Sequence, residues 1–267
     1  MRTLAKLIDL KGRKALVTGA AGHIGRAVSE ALVELGAKVA VLDRERRSCD
    51  EETARLCRLR AGSAIGVACD LMDEEATRDA VRRTAEAFDG LGILVHCAGY
   101  VGTTDAPGWT VPFSEQSVAS WNDALQVNLT SAFTMVQEAG SSLQMSGHGS
   151  VVVFGSIYGL VGPDNRIYDA TKMATPAGYA ASKGGLVQLT RYLATTLAPG
   201  VRVTAVSPGG VWRGQEEIFH ERYKQRTPLG RMASEEDLVG AAVYLASDLS
   251  EYVTGHNIVV DGGWTAW

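Results

Sequence analysis

Short runs rich in β-branched residues recur along this chain, each separated from the next by helical periodicity, and the alternation keeps one character from end to end. The runs lie at 15–17, 38–42, 64–69, 93–96, 151–154, 201–206 and 257–260, and they predict seven strands. Most are apolar at successive positions, not alternate ones, so both faces of each strand are buried. Strands of that kind, separated by helices, belong to a parallel sheet covered on both sides. After the first run, Ala27, Val28, Ala31, Leu32 and Leu35 fall on one helical face that Gly36 closes. Further helices are predicted over 73–88, about 120–145, 179–197 and 235–246. No linker, repeat or low-complexity segment interrupts the pattern, which predicts one doubly wound α/β domain over 1–267.

Composition excludes other classes. With 46% hydrophobic and 21% charged residues the chain is an ordinary globular one. A net charge of −4 and a single basic run, Arg44 to Arg47, interrupted by Glu45, give no nucleic-acid face. No apolar stretch approaches the ~18 residues of a membrane span. Residues 1–14 carry charges throughout and no apolar core of a secretory signal, so a cytoplasmic protein is expected. Cys49, Cys57, Cys69 and Cys97 form no C-x-x-C pair and read as small buried hydrophobes. His23, His96, His148, His220 and His256 are scattered, so neither a metal site nor a Ser-His-Asp hydrolase is predicted.

Two stretches resist assignment, Tyr100 to Ser117 and Gly155 to Gly178, and both follow strands at the expected carboxyl edge of the sheet, where open α/β folds bind ligands. At the same edge the first strand runs into Thr18-Gly19-Ala20-Ala21-Gly22-His23-Ile24-Gly25. Glycines at 19, 22 and 25 let the backbone turn tightly and approach a pyrophosphate seated on a helix N-terminus. Asp43 closes the second strand, where an acid receives ribose hydroxyls in a dinucleotide site of Rossmann type. A carboxylate there repels a 2′-phosphate and favours NAD over NADP. Arg44, directly after it, can pair with a phosphate, so NADP stays the second cofactor.

Together with these segments, Cys69-Asp70-Leu71, His96-Cys97-Ala98-Gly99, Asn128, Ser156, Tyr179-Ala-Ala-Ser-Lys183, Ser207-Pro208-Gly209-Gly210 and the stretch 253–263 resemble the single-domain branch of the short-chain dehydrogenase/reductase family over essentially the whole chain. The resemblance implies a catalytic set of Asn128, Ser156, Tyr179 and Lys183. It implies cofactor contacts from Gly19, Gly22, His23, Ile24, Gly25, Asp43, Arg44, Asp70, Leu71, Ala98, Gly99, Tyr179, Lys183, Pro208, Gly209 and Val211, with Asp70 at the adenine. Lys183 follows Tyr179 by one helical turn, so its ammonium can favour tyrosinate; a free phenol, with a pKa of about 10, is too weak a base at neutral pH. Ser156 would bond the substrate oxygen, and Asn128 would continue a proton path through water. His23 stands where the family's second loop glycine is usual, Cys97 where asparagine is common, and Ser207 where asparagine often precedes Pro-Gly.

Tyr168-Asp-Ala-Thr-Lys172 also reads Tyr-x-x-x-Lys, at a more usual distance from Ser156. The catalytic pair needs a rigid helix. Leu186, Leu189, Leu193 and Leu197 continue an apolar face after Lys183, whereas Pro176 and Gly178 follow Lys172 closely. Tyr179 is therefore the predicted base, and Tyr168 is placed in an insertion beside the substrate. Candidate substrate residues are Tyr158, Arg166, Tyr168, Trp212 and Arg213, a polar surround suited to a sugar, polyol or hydroxy acid. The segment from Val211 to Arg226 corresponds to a lid in the family. The rival readings are an NADPH-dependent 3-ketoacyl-thioester reductase and a non-catalytic NAD(H)-binding sensor. The resemblance also implies a homo-oligomer, a tetramer first and a dimer second, with the aromatic C-terminus at an interface.

Overall fold

The computed structural model describes residues 1–101 and 104–267. Its elements run α1 (Leu4–Ile8), β1 (Lys14–Thr18), α2 (His23–Glu34), β2 (Lys38–Asp43), α3 (Arg46–Leu59), β3 (Ala64–Ala68), α4 (Glu74–Phe88), β4 (Ile93–His96), α5 (Val118–Leu125), α6 (Ser131–Met145), β5 (Gly149–Phe154), α7 (Ala177–Leu197), β6 (Val201–Pro208), α8 (Glu217–Arg226), α9 (Glu236–Ala246) and β7 (Asn257–Val260). The strands form one parallel seven-stranded sheet in the order β3-β2-β1-β4-β5-β6-β7, the doubly wound Rossmann-type arrangement.

Successive strand residues feed two cores, which is why the strands have no polar face. Ala15, Val17, Val39, Val41, Ile93, Val95, Val152 and Phe154 pack with Val28, Leu32, Cys49, Leu238 and Ala242 of α2, α3 and α9. Their neighbours Leu16, Ala40, Leu42, Leu94, Val151 and Val153 pack with Ala80, Val81, Met135 and Leu186 of α4, α6 and α7. Each fully buried aliphatic side chain contributes about 1.5–3 kcal/mol. Two acidic groups and a guanidinium tie α2 to α3: Arg55 donates to Glu52 at 2.8 and 2.7 Å and to Glu30 at 2.6 Å. The sequence reading names no helix over 46–59. Its exposed face is polar, and α3 anchors itself through buried Cys49, Glu52 and Leu56 alone.

Two helices depart from expectation in ways that shape the site. The single helix predicted over about 120–145 is α5 and α6 joined by a π-helical turn, Gln126–Thr130. A π turn adds a residue and shifts the helical phase, and such turns favour functional sites. α7 starts at Ala177, two residues before the predicted start, because Pro176 stands just ahead of its first turn, where a missing N–H costs nothing. The strand order reverses direction between β1 and β4. In folds of this kind ligands bind outside the carboxyl edge at such a switch point. From the unassigned stretch after β4, Trp109 buries its ring and donates Nε1–H to the Val101 carbonyl at 2.8 Å. No helix among the described residues is long and apolar enough to cross a membrane.

Candidate active site

The loop after β1 is closed inward and open outward. Gly19 has φ +61°, and a Cβ there would lie 2.9 Å from the Ala98 Cα. A Cβ on Gly25 would come within 2.2 Å of the Gly19 carbonyl oxygen, so the loop and α2 can approach only through glycine. Gly22 instead caps α2, and a Cβ on it would meet nothing closer than the Gly19 oxygen at 3.4 Å. The unpaired N–H groups of α2's first turn thus face a clear cradle. Asp43 accepts the Ala21 N–H at 3.2 Å and the Arg44 N–H at 2.8 Å, which fixes its carboxylate at the end of β2. Arg44 is exposed and leans toward Glu45 at 3.4 Å. His23 is exposed with Nδ1 3.4 Å from Glu235, while Ile24 packs into the core. Beyond β3, Asp70 is exposed and accepts the Met72 N–H at 3.0 Å, and Leu71 is buried. Across the crevice Pro208 ends β6, the Gly209 N–H donates to the Val260 carbonyl at 2.9 Å, and Val211 pairs with Ala233.

The switch point itself is bridged by side chains. Thr18 Oγ1 accepts the Ala98 N–H at 3.1 Å and lies 2.9 Å from His96 Nδ1. The Thr18 hydroxyl has no other acceptor among the described residues, which assigns its proton to Nδ1 and the ring proton to Nε2, facing Ser131 Oγ at 3.5 Å. Ser131 in turn donates to the Val127 carbonyl at 2.6 Å, in the π turn. That turn drives Asn128 fully inside. Its amide donates to the Tyr100 carbonyl at 3.2 Å and to Ser182 Oγ at 2.9 Å, and its carbonyl accepts the Tyr100 N–H at 2.6 Å. Sequence reasoning names neither Tyr100 nor Ser182 as partners of Asn128; only Ser182's place beside Lys183 hints at one.

On α7, Lys183 is buried and donates Nζ–H to the Phe154 carbonyl at 2.7 Å, with Nζ 5.8 Å from the Tyr179 ring centre. Burial pushes its pKa down to about 8. A Cβ on Gly99 would meet Asn128 Oδ1 at 3.6 Å and Lys183 Nζ at 3.8 Å, so these groups ring one spot. Ser156 stands at the end of β5 and accepts the Tyr158 N–H at 3.2 Å. Burial pushes the Tyr179 phenol above its ordinary range, opposed by a hydrogen bond with Ser156 and by the charge of Arg213. Desolvation of the phenol, the largest influence, sets the direction in this arrangement against the tyrosinate that the sequence expects Lys183 to favour.

The second Tyr-x-x-x-Lys pair shares no helix. Tyr168 ends a one-turn 3-10 helix (Asn165–Tyr168), and Lys172 lies beyond it, exposed, its backbone N–H on Glu216 at 2.9 Å. Trp212 stacks on His220 of α8, ring centres 3.9 Å apart, and Arg213 reaches Glu235 at 3.3 Å. Arg166 is turned out of the site: its guanidinium is 80% exposed and clamped 2.7 Å from Asp164. The C-terminal Trp264 is buried within the chain, stacked on Tyr223 at 4.3 Å between ring centres, while the final Trp267 is exposed. Glu217, His220 and Glu221 bring three possible ligand atoms within 4.8 Å on α8, a grouping that the scattered histidines do not announce.

A family model described as enoyl-(acyl carrier protein) reductase matches residues 19–265. A 3-oxoacyl-[acyl-carrier-protein] reductase of Aquifex aeolicus is 31% identical over 96% of this chain and 98% of its own length. A galactitol 2-dehydrogenase (L-tagatose-forming) of Cereibacter sphaeroides is 34% identical over 97% of each. Among solved structures, a short-chain dehydrogenase from Leptospira borgpetersenii with bound NAD+ superposes with a TM-score of 0.84 at 32% identity, covering 99% of this chain and 96% of that one. A proposed NAD(P)-dependent gluconate 5-dehydrogenase from Beutenbergia cavernae, with NADP at low occupancy, gives 0.86 at 33% identity over 98% and 100%.

Proposed function

Because the chain belongs to the short-chain dehydrogenase/reductase family, and is thus an oxidoreductase acting on an alcohol carbon, we propose that it interconverts a secondary alcohol and a ketone with NAD on a sugar, polyol or hydroxy-acid substrate. The observation that carries this reading is the grouping of Lys183 and Asn128 around Gly99, with Lys183 one turn from Tyr179 on α7 and Nζ 5.8 Å from its ring centre. A bound nicotinamide supplies the hydride chemistry. The open cradle at Gly22 and the fixed Asp43 carboxylate fit such a dinucleotide. Gly19, Gly22, His23, Ile24 and Gly25 would hold its phosphates, Asp43 and Arg44 the adenosine ribose, Asp70 and Leu71 the adenine. Ala98, Gly99, Lys183, Pro208, Gly209 and Val211 would flank the nicotinamide half.

The chain's own groups then divide the proton work. Ser156 donates to the substrate oxygen and orients it, and Tyr179 takes the alcohol proton or returns it to the ketone. Lys183 spends one N–H on Phe154 and keeps others for a ribose hydroxyl. Below its pKa of about 8 it holds the positive charge that a developing tyrosinate needs. The Asn128 side chain is already bonded to Tyr100 and Ser182, so its part in a proton path falls to a backbone carbonyl of the π turn. Asp43, with both oxygens held by backbone N–H groups, supports NAD, since a 2′-phosphate would meet a fixed negative charge. The galactitol relative supports a polyhydroxylated substrate. Exposed apolar side chains on α5 and α6 (Val118, Trp121, Phe133) support a homo-oligomer.

The Aquifex relative favours a second reading, reduction of a 3-ketoacyl thioester with NADPH. Both are tested by following nicotinamide absorbance with NAD and NADP over galactitol, D-threitol and gluconate, and with NADPH and NADH over an acetoacetyl thioester. NAD-dependent oxidation of a polyol or hydroxy acid is expected. Thioester reduction with NADPH alone would overturn the proposal.

A further inference from the structure

The tyrosine of the second Tyr-x-x-x-Lys stretch has a bonding pattern of its own. Tyr168 Oη lies 2.7 Å from Tyr158 Oη, and Thr175 Oγ1 donates to Tyr168 Oη at 2.8 Å. Three hydroxyls carry three protons, and the trio makes two hydrogen bonds. With Thr175 spending its proton on Tyr168, one phenolic O–H is left without an acceptor among the described residues. Both tyrosines are half-buried, packed against Ile157, Ile167, Phe219 and Tyr223.

The trio is also tied to the reacting groups. Tyr158 follows Ser156 by two residues and bonds its Oγ through the backbone N–H at 3.2 Å. Tyr168 further packs against Phe219 of α8, ring centres 5.3 Å apart and planes tilted by 35°.

We propose that Thr175, Tyr168 and Tyr158 form a hydroxyl chain whose surplus O–H binds a substrate hydroxyl on the carbon next to the reacting one, making these residues specificity determinants for vicinal diols. The inference rests on the oxidoreductase reading above and deepens it. A hydroxyl fits better than a carboxylate. The chain is neutral, its surroundings are apolar, and Arg166 of that segment is held outward by Asp164.

The test measures kcat/KM for D-threitol against 2-butanol, and for galactitol against 3-hexanol, in the wild type and in Tyr158→Phe, Tyr168→Phe, Thr175→Val and Thr175→Ser. The wild type should prefer the polyols. Tyr158→Phe and Tyr168→Phe should each lower the polyol-to-mono-ol ratio by about 10- to 100-fold. The double variant should lose little beyond the worse single, because the two hydroxyls act as one unit. Thr175→Val should shift the ratio by about 3- to 10-fold, and Thr175→Ser, which keeps the donor, should restore it. Only one oxygen atom is removed in each phenylalanine variant, and an unchanged KM for NAD checks its fold. If the wild type oxidises the polyols and the ratio stays unchanged in both phenylalanine variants, the hydroxyl chain is wrong and the oxidoreductase reading survives. If the wild type oxidises neither polyol, that reading fails and the inference with it.

Discussion

His96 should make the fold sensitive to mild acid. The ring is 1% exposed, and its Nδ1 accepts the only proton Thr18 Oγ1 has to give. Protonating Nδ1 would break that bond and place a charge beside buried Lys183. Burial, with the Lys183 charge adding to it, lowers the pKa from 6.5 to about 3. The sign follows directly. Between these two values the unfolded chain holds one more proton than the folded one, so this contribution to stability is complete above about 6.5 and is lost as pH falls toward 3. At about 1.4 kcal/mol per pH unit, a drop to pH 5 costs roughly 2 kcal/mol. The assay is urea unfolding at pH 7.5 and pH 5.0 for the wild type and for His96→Asn, whose amide can accept from Thr18 but does not titrate. The wild type should lose about 2 kcal/mol more than the variant over that interval. Equal losses in the two proteins would refute the neutral buried ring.

Two further outcomes follow from the same structure. Asp43→Ala should raise the kcat/KM for NADP relative to NAD by at least about tenfold, because it removes the charge that opposes a 2′-phosphate while Arg44 stays in place; steady-state kinetics with both cofactors checks it. Arg55→Met should destabilise the fold by about 3 kcal/mol, since Glu52 is only 5% exposed and would keep its buried charge with only Arg26, at 3.3 Å, to balance it. Chemical denaturation at pH 7 measures that loss.

What the chain disclosed in advance was whatever rests on local pattern. Val39 and Ala40 are neighbours that feed opposite cores, and so an unbroken apolar run was enough to identify a doubly covered parallel sheet. Gly19 and Gly25 were legible because a tight approach of backbone to backbone admits no other residue. The choice of Tyr179 over Tyr168 rested on the apolar face after Lys183, and α7 carries that face. What stayed hidden rests on partners distant in sequence. The π turn has no residue code of its own. It is held by bonds from Asn128 to Tyr100 and Ser182, and by Ser131 against His96. Arg166 looked like a substrate ligand by its position, yet Asp164, two residues before it, offers a shorter reach than the site does. The direction of the Tyr179 shift was missed because burial of a phenol is a tertiary property.

The proposed reaction has Tyr179, not Tyr168, move the proton in an alcohol oxidation that uses NAD. The direct measurement is turnover and NADH binding for Tyr179→Phe beside Tyr168→Phe, with the best polyol substrate at pH 7.5. The account predicts that Tyr179→Phe binds NADH with a Kd within about threefold of wild type and loses about 10³-fold or more in kcat, while Tyr168→Phe still turns over and loses chiefly in kcat/KM for the polyol. Retained turnover in Tyr179→Phe together with its loss in Tyr168→Phe would contradict the account.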